Sequence, residues 1–427
     1  MPPSAGPEPV DGRVVDTPSG PVTVGVDDGV VVARGIPYAR AGRFEHPIPV
    51  APWTQPLDAS RHGAHSPQLP GALERLLGSN ETMPSEDCQH LDVYTPGCDD
   101  RRRPVLVWIH GGAFVTGSGS MPWYHGGALA RRGDVVVVTI NYRLGALGFA
   151  GTTNGGLADQ IAALEWVRDH IGAFGGDTGR VTVMGESAGG ASVITLMAAP
   201  RARTLFGAAW AMSPSLTQLR RPERAAEALQ ELLDAAEVDD LDELRRLDVG
   251  SLLSAQAVLL ARRDGAITAF APTVDGDLLP EPVLHVAAAD PRPLALGTMR
   301  DEMLLFTAFD PEVVALNEDE LVRAVGLRLG DHTAAALDLY RSVRPGARPG
   351  ELLSAVQTDE AFRVPATRLA DRRSQAGHPT WRWWFTWATP AFHGRLGACH
   401  GLDIPFAFAN LDRAGVEMFT GSSTERE

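Results

Sequence analysis

The sequence predicts an α/β fold: a mostly parallel central sheet with helices on both faces, antiparallel strands on the N-terminal side, and helical insertions. Three observations carry this. "PVLVWIH" (104–110) and "DVVVVTINY" (134–142) are continuous apolar runs, as in strands buried on both faces. Strand-like and helical runs then alternate, the mark of crossover connections between parallel strands. The chain has 427 residues, 44% of them apolar, enough for a large core.

The elements follow in order. Residues 1–12 are rich in Pro and Gly and read as a loose arm, with 13–427 as a single domain. Residues 13–34 carry short β-branched runs broken by Gly and Asp, which predicts an antiparallel entry meander. Residues 61–85 read as a long loop. Leu157, Ile161, Leu164, Val167 and Ile171 keep helical spacing. "RVTVMG" (180–185) reads as a strand, and Ser187 to Ala199 as a helix stopped by Pro200. "GAAWAMS" (207–213), "PLALGT" (293–298) and "PTWRWWFTW" (379–387) supply further strands. Trp381, Trp383, Trp384 and Trp387 in the last of these are expected to pack in the core. Residues 221–262 and 311–376 read as helical insertions, the first of them a cap. Together with the apolar residues of 205–216, this cap is expected to shape a substrate pocket.

Composition excludes several classes. A net charge of −15 argues against a nucleic-acid partner, whose phosphates it would repel. No run of about 18 apolar residues occurs, so no membrane span is expected. Residues 1–7, "MPPSAGP", have neither a basic region nor an apolar run, so no signal peptide is expected. Cys88, Cys98 and Cys399 make an odd, low count that fits reduced thiols in a cytoplasmic protein. Oligomeric state is not legible.

Chemistry centres on "GESAG" (185–189). A serine between a strand and a helix, flanked by glycines, can sit on a sharp turn with its hydroxyl exposed, and the helix that follows favours developing negative charge. His110-Gly111-Gly112-Ala113-Phe114 directly follows a strand, and its small residues let backbone N–H groups approach one substrate oxygen. A serine nucleophile needs a base, and the base needs an orienting carboxylate. Asp301 and Glu302 follow a late strand, and His400 comes later still, with His393 as its competitor.

These residues resemble the type B carboxylesterase family, which includes the cholinesterases. The resemblance rests on "GIPYA" (35–39), "SEDC" with "LDVYTP" (85–96), "HGGAF" (110–114), "NYRLGALGF" (141–149), "FGGD" (174–177), "GESAGGASV" (185–193), "GTMRDE" (297–302) and "HGLDIPFAF" (400–408). It implies an α/β-hydrolase fold and a serine carboxylesterase acting on small-molecule esters through an acyl-enzyme, with no metal or organic cofactor. By motif, Ser187 would be the nucleophile, His400 the general base and acid, and Glu302 the orienting acid. The N–H groups of Gly112, Ala113 and Ala188 would form the oxyanion hole. Arg43 would pair with Glu86, and Arg143 with Asp159. Glu186 would order the site by hydrogen bonding without carrying protons. The rate should fall in acid with a midpoint near the ordinary histidine value of about 6.5.

Three departures from the family stand out. Ser66 replaces the family's cysteine before "PQ", so Cys88 should be a free thiol. Only Arg40, Ala41 and Gly42 separate "GIPYA" from "RF". The chain ends at Glu427, where the family continues with a long helix and a further segment, so apolar surface should be exposed. This last departure supports an alternative from another class: a catalytically weak or inactive cholinesterase-like binding protein.

Overall fold

The computed structural model describes residues 13–71, 82–262, 269–413 and 415–426. The expected arm at 1–12 lies outside the described residues, as does the middle of the expected loop at 61–85.

The entry meander divides between two sheets. β1 (Val14–Thr17) and β2 (Gly20–Thr23) form one hairpin; β3 (Gly25–Asp27) and β4 (Val30–Pro37) form the next. β5 (Ala39–Arg40) pairs with β6 (Ile48–Pro49), and β7 (Leu57–Asp58) adds to β2, so the first hairpin belongs to a small sheet of its own. The main sheet takes in β8 (His90–Thr95), β9 (Arg103–Ile109), β10 (Val136–Ile140), β11 (Gly176–Glu186), β12 (Ala208–Met212), β13 (Leu294–Met299) and β14 (Thr380–Phe385). Among the described residues its order is β14-β13-β12-β11-β9-β10-β8-β4-β3. The six strands from β14 to β10 run parallel, while β8, β4 and β3 are antiparallel to their neighbours.

Side-chain alternation divides the sheet's apolar residues between two cores. On β9, Val105, Val107 and Ile109 face one core while Trp108 faces the other; on β11, Val183 and Met184 divide the same way. Helix Gly155–His170 lays Leu157, Ile161, Leu164 and Val167 on the first core, all fully buried. The second core is closed by residues from the end of the chain, including Phe408, Val416 and Phe419.

The strand order fixes where a site can form. β9 leads to β10 on one side, and β11 leads to β12 on the other. The crevice at the carboxyl ends of β9 and β11 is therefore a topological switch point, the usual ligand position in an open α/β sheet.

Both expected ion pairs are present. Arg43 donates from Nε and Nη2 to the two carboxylate oxygens of Glu86 at 2.7 and 2.6 Å. Arg143 does the same to fully buried Asp159, at 2.8 Å for both bonds. Cys88 is a free, buried thiol beside Ser66, whose hydroxyl also accepts from the Leu144 N–H.

Two expectations are corrected. Trp381 and Trp384 are 60% and 55% exposed, because β14 is the edge of the sheet and covers little on either side. The first insertion, with helices Pro222–Ala236 and Val249–Arg262, does not cap the switch point. Its Leu232, Leu233, Leu252 and Leu259 join the main core, and Gln256 accepts from the Ala146 N–H. The second insertion has a small core of its own, with Leu321, Val325, Leu337 and Leu352 among its members.

Candidate active site

Ser187 sits between β11 and helix Ala188–Ala198 with φ 58° and ψ −119°, a conformation L-residues rarely adopt. The turn is tied to β12 by the Ser187 N–H, which donates to the Met212 carbonyl at 2.9 Å. Flanking glycines make the turn possible. A Cβ on Gly189 would stand 2.0 Å from the Ile109 carbonyl oxygen, and one on Gly185 2.6 Å from the Gly189 backbone. Gly189 and Gly190 are poor helix formers, yet they let the helix press against β9 and β12.

The loop after β9 abuts this turn. A Cβ on Gly111 would lie 3.1 Å from the Ser187 Cβ. Gly112, Ala113 and Phe114 all have positive φ, at 108°, 55° and 62°, and fully buried Phe114 anchors the turn edge-on against Phe149. Among the described residues, no backbone or side-chain oxygen accepts from the N–H groups of Gly112, Ala113 or Ala188. Burial lowers His110 to about 4, so its ring is neutral at pH 7; its Nδ1–H donates to the Gly111 carbonyl, and it stacks on Tyr142.

The two neighbouring carboxylates take different partners. Glu302, fully buried, accepts the His400 Nδ1–H at 2.6 Å and the Met299 N–H at 2.8 Å. Asp301 turns away, accepting from Arg344 at 2.7 Å, Arg300 at 2.9 Å and the Ala398 N–H at 3.0 Å. Burial pushes the Asp301 carboxyl up, but these donors hold it below its ordinary value. His393 is exposed on a separate turn.

Ser187 and His400 are not joined. Among the described residues no hydrogen bond links the serine hydroxyl to the ring, whose Nε2 lies 3.1 Å from Glu186 Oε1 without hydrogen-bond alignment. Glu186 is therefore a carboxyl group facing the imidazole without a hydrogen bond to it, not the hydrogen-bonding organiser expected, because the end of β11 directs its side chain into the pocket wall. Burial alone would lower the His400 pKa. The Glu186 charge, then the Glu302 bond and charge, outweigh it and raise the pKa to about 9. Burial raises Glu186 to about 7 against the pull of His400.

Sequence reasoning missed Asp403. Both of its carboxylate oxygens are buried without a partner among the described residues, and burial, Glu186 and Glu302 push it well above its usual value. Its position three residues after His400 in "HGLD" was the available signal.

A pocket of about 580 Å³, its open mouth included, reaches His400 and Glu186; Ser187 lies behind its lining and is not part of it. Gly111, Gly112, Glu186 and His400 form its reactive side, and Met121, Trp123, Tyr124 and Phe419 much of the rest. Among the described residues none of its lining comes from 205–216 or 221–262, against expectation. Among the described residues no His, Cys, Asp and Glu cluster is arranged for a metal ion, and no helix is long and apolar enough to cross a membrane.

Comparison with known proteins decides the family. The model of the carboxylesterase family matches residues 11–420. The chain belongs to the carboxylesterase family. This carboxylesterase is 38% identical over 424 residues to the para-nitrobenzyl esterase of Bacillus subtilis (strain 168), covering 94% of this chain and 83% of that protein. It is 36% identical over 415 residues to the phenmedipham hydrolase of Pseudarthrobacter oxydans, with the same coverage. The crystal structure of a Geobacillus stearothermophilus carboxylesterase at pH 6.2 superposes with a TM-score of 0.85 at 37% identity, over 97% of this chain and 87% of that one. The carboxylesterase thus has an α/β-hydrolase fold and is a carboxylic ester hydrolase.

Proposed function

We propose that the carboxylesterase cleaves small uncharged esters through an acyl-enzyme, with Ser187 as nucleophile, His400 as general base and acid, and Glu302 as orienting carboxylate. The observation that carries this reading is the buried 2.6 Å bond between His400 and Glu302, taken with a serine held at φ 58° on the turn after β11. His400 Nε2 takes the Ser187 proton as Oγ attacks the ester carbonyl carbon. Glu302 keeps the proton on Nδ1 and stabilises the charged ring. The N–H groups of Gly112, Ala113 and Ala188 donate to the oxyanion; losing one such donor typically costs about 100- to 1000-fold in turnover. His400 then protonates the leaving alcohol, and water repeats the sequence on the acyl group. For the first step the ring turns from Glu186 toward Ser187, in keeping with the loose geometry of catalytic contacts before substrate binds.

An aromatic pocket wall and the name of the para-nitrobenzyl esterase support an aromatic ester among the substrates. Three free cysteines support a reducing, cytoplasmic setting. Ser187→Ala tests the assignment. Hydrolysis of p-nitrophenyl acetate should fall by about 10⁴-fold or more, and fluorophosphonate labelling should vanish, while the circular dichroism spectrum stays unchanged. Wild-type turnover by this variant would remove Ser187 from the mechanism.

A further inference from the structure

One wall of the pocket is made by residues almost 300 positions apart in sequence. Trp123 comes from the β9–β10 connection and Phe419 from the segment that closes the second core. Their exposures are 2% and 1%, and their ring centroids lie 5.2 Å apart at 30°. Each is held by its own backbone clasp. Asn410 Nδ2 donates to the Trp123 carbonyl at 2.8 Å and to the His125 carbonyl at 3.0 Å. Thr389 Oγ1 donates to the Phe419 carbonyl at 2.6 Å. The pair is a built stop, not a loose flap. Among the described residues no Lys or Arg lines the pocket; Glu186 and His400 carry its charge, and the Trp123–Phe419 wall contributes shape and apolar contact.

We propose that Phe419 is a specificity-determining residue: stacked on Trp123, it ends the pocket and restricts the group lying there to a short or flat uncharged one. The proposal rests on the esterase reading above. A longer chain would have to displace a well-packed aromatic pair, which is unfavourable. Shortening Phe419 leaves a void continuous with the pocket, and the extra methylenes of a longer substrate can fill it.

The test uses the full chain, wild type and Phe419→Ala, with two substrate series. p-Nitrophenyl alkanoates from acetate to octanoate vary the acyl group; n-alkyl acetates vary the alcohol. The expected result is a rise of about tenfold or more in the long-to-short ratio of kcat/KM in one series, because methylene discrimination in apolar pockets has this size. A merely structural role would lower all substrates together and leave the ratio alone. Phe419→Leu should move the ratio the same way by less, and serves if the alanine variant does not fold. Ratios within about twofold of wild type in both series, with Ser187 still labelled by a fluorophosphonate, would overturn the proposal. If wild type neither labels nor hydrolyses either acetate, the esterase reading fails and the proposal with it.

Discussion

At the scale of single residues, the site is governed by negative charge around one imidazole. Glu186 and Glu302 face the two ring nitrogens of His400, and their pull outweighs burial. A base must be neutral to accept the serine proton. With the folded pKa raised to about 9, the neutral form is lost as pH falls through that value, so the acid limb of kcat/KM should lie well to the alkaline side of 6.5. Glu186→Gln removes the largest charge that raises it while burial remains, so the limb should move to lower pH. A pH–rate profile that does not shift in this variant would show that Glu186 leaves the base unaffected. The chemistry of Asp301 and Glu302 does not separate them in sequence, and the choice of Glu302 rests there on the family motif alone. In the fold the turn after β13 parts them: the Asp301 N–H donates to the Ala398 carbonyl at 3.0 Å, its side chain goes to Arg344, and Glu302 goes to His400. Trp123 and Phe419 were equally silent, because in sequence each reads as an ordinary apolar residue.

At the scale of elements, the strands and the serine turn were legible because their constraints are local. Continuous apolar runs mark strands buried on both faces, and glycines mark the contact of β9, β11 and the helix after Ser187. Gly189→Ala should therefore fail where other Gly-to-Ala changes in helices help: its Cβ would stand 2.0 Å from a backbone carbonyl. A loss of about 1–3 kcal/mol in urea denaturation, with falling activity, is expected from such overpacking. Asp159→Ala strands the Arg143 guanidinium, 3% exposed, without its charge partner. Removing one member of a buried pair costs about 3–5 kcal/mol, again measurable in urea. The insertions were legible as helices from their composition, but not in their destination. Whether a helix covers a pocket or joins the core depends on where its apolar face lands, and the first insertion's leucines land on the main core.

At the scale of the whole molecule, the three thiols and the carboxylates report on folding. Cys88 and Cys399 are buried and Cys98 half-buried. One thiol should react with a disulfide reagent in the native state and three after denaturation; fast native reaction of Cys88 would contradict its burial. Asp27, hydrogen-bonded by His125 and Arg34, and Asp301 are both held below their ordinary values. Carboxylates depressed in this way stabilise the fold above their unfolded value of about 3.9, and that contribution is lost as pH falls through the folded one. The melting temperature should therefore drop steeply below about pH 4. The exposed edge at β14 acts at another level, between molecules. Among the described residues it offers unpaired backbone donors and acceptors beside the indoles of Trp381 and Trp384. Such an edge is a template on which a neighbouring chain can pair. A net charge of −15 opposes that encounter at neutral pH. Colloidal behaviour should then follow charge: dispersed in dilute neutral buffer, and clouding reversibly when mild acid or high salt removes the repulsion while each molecule is still folded.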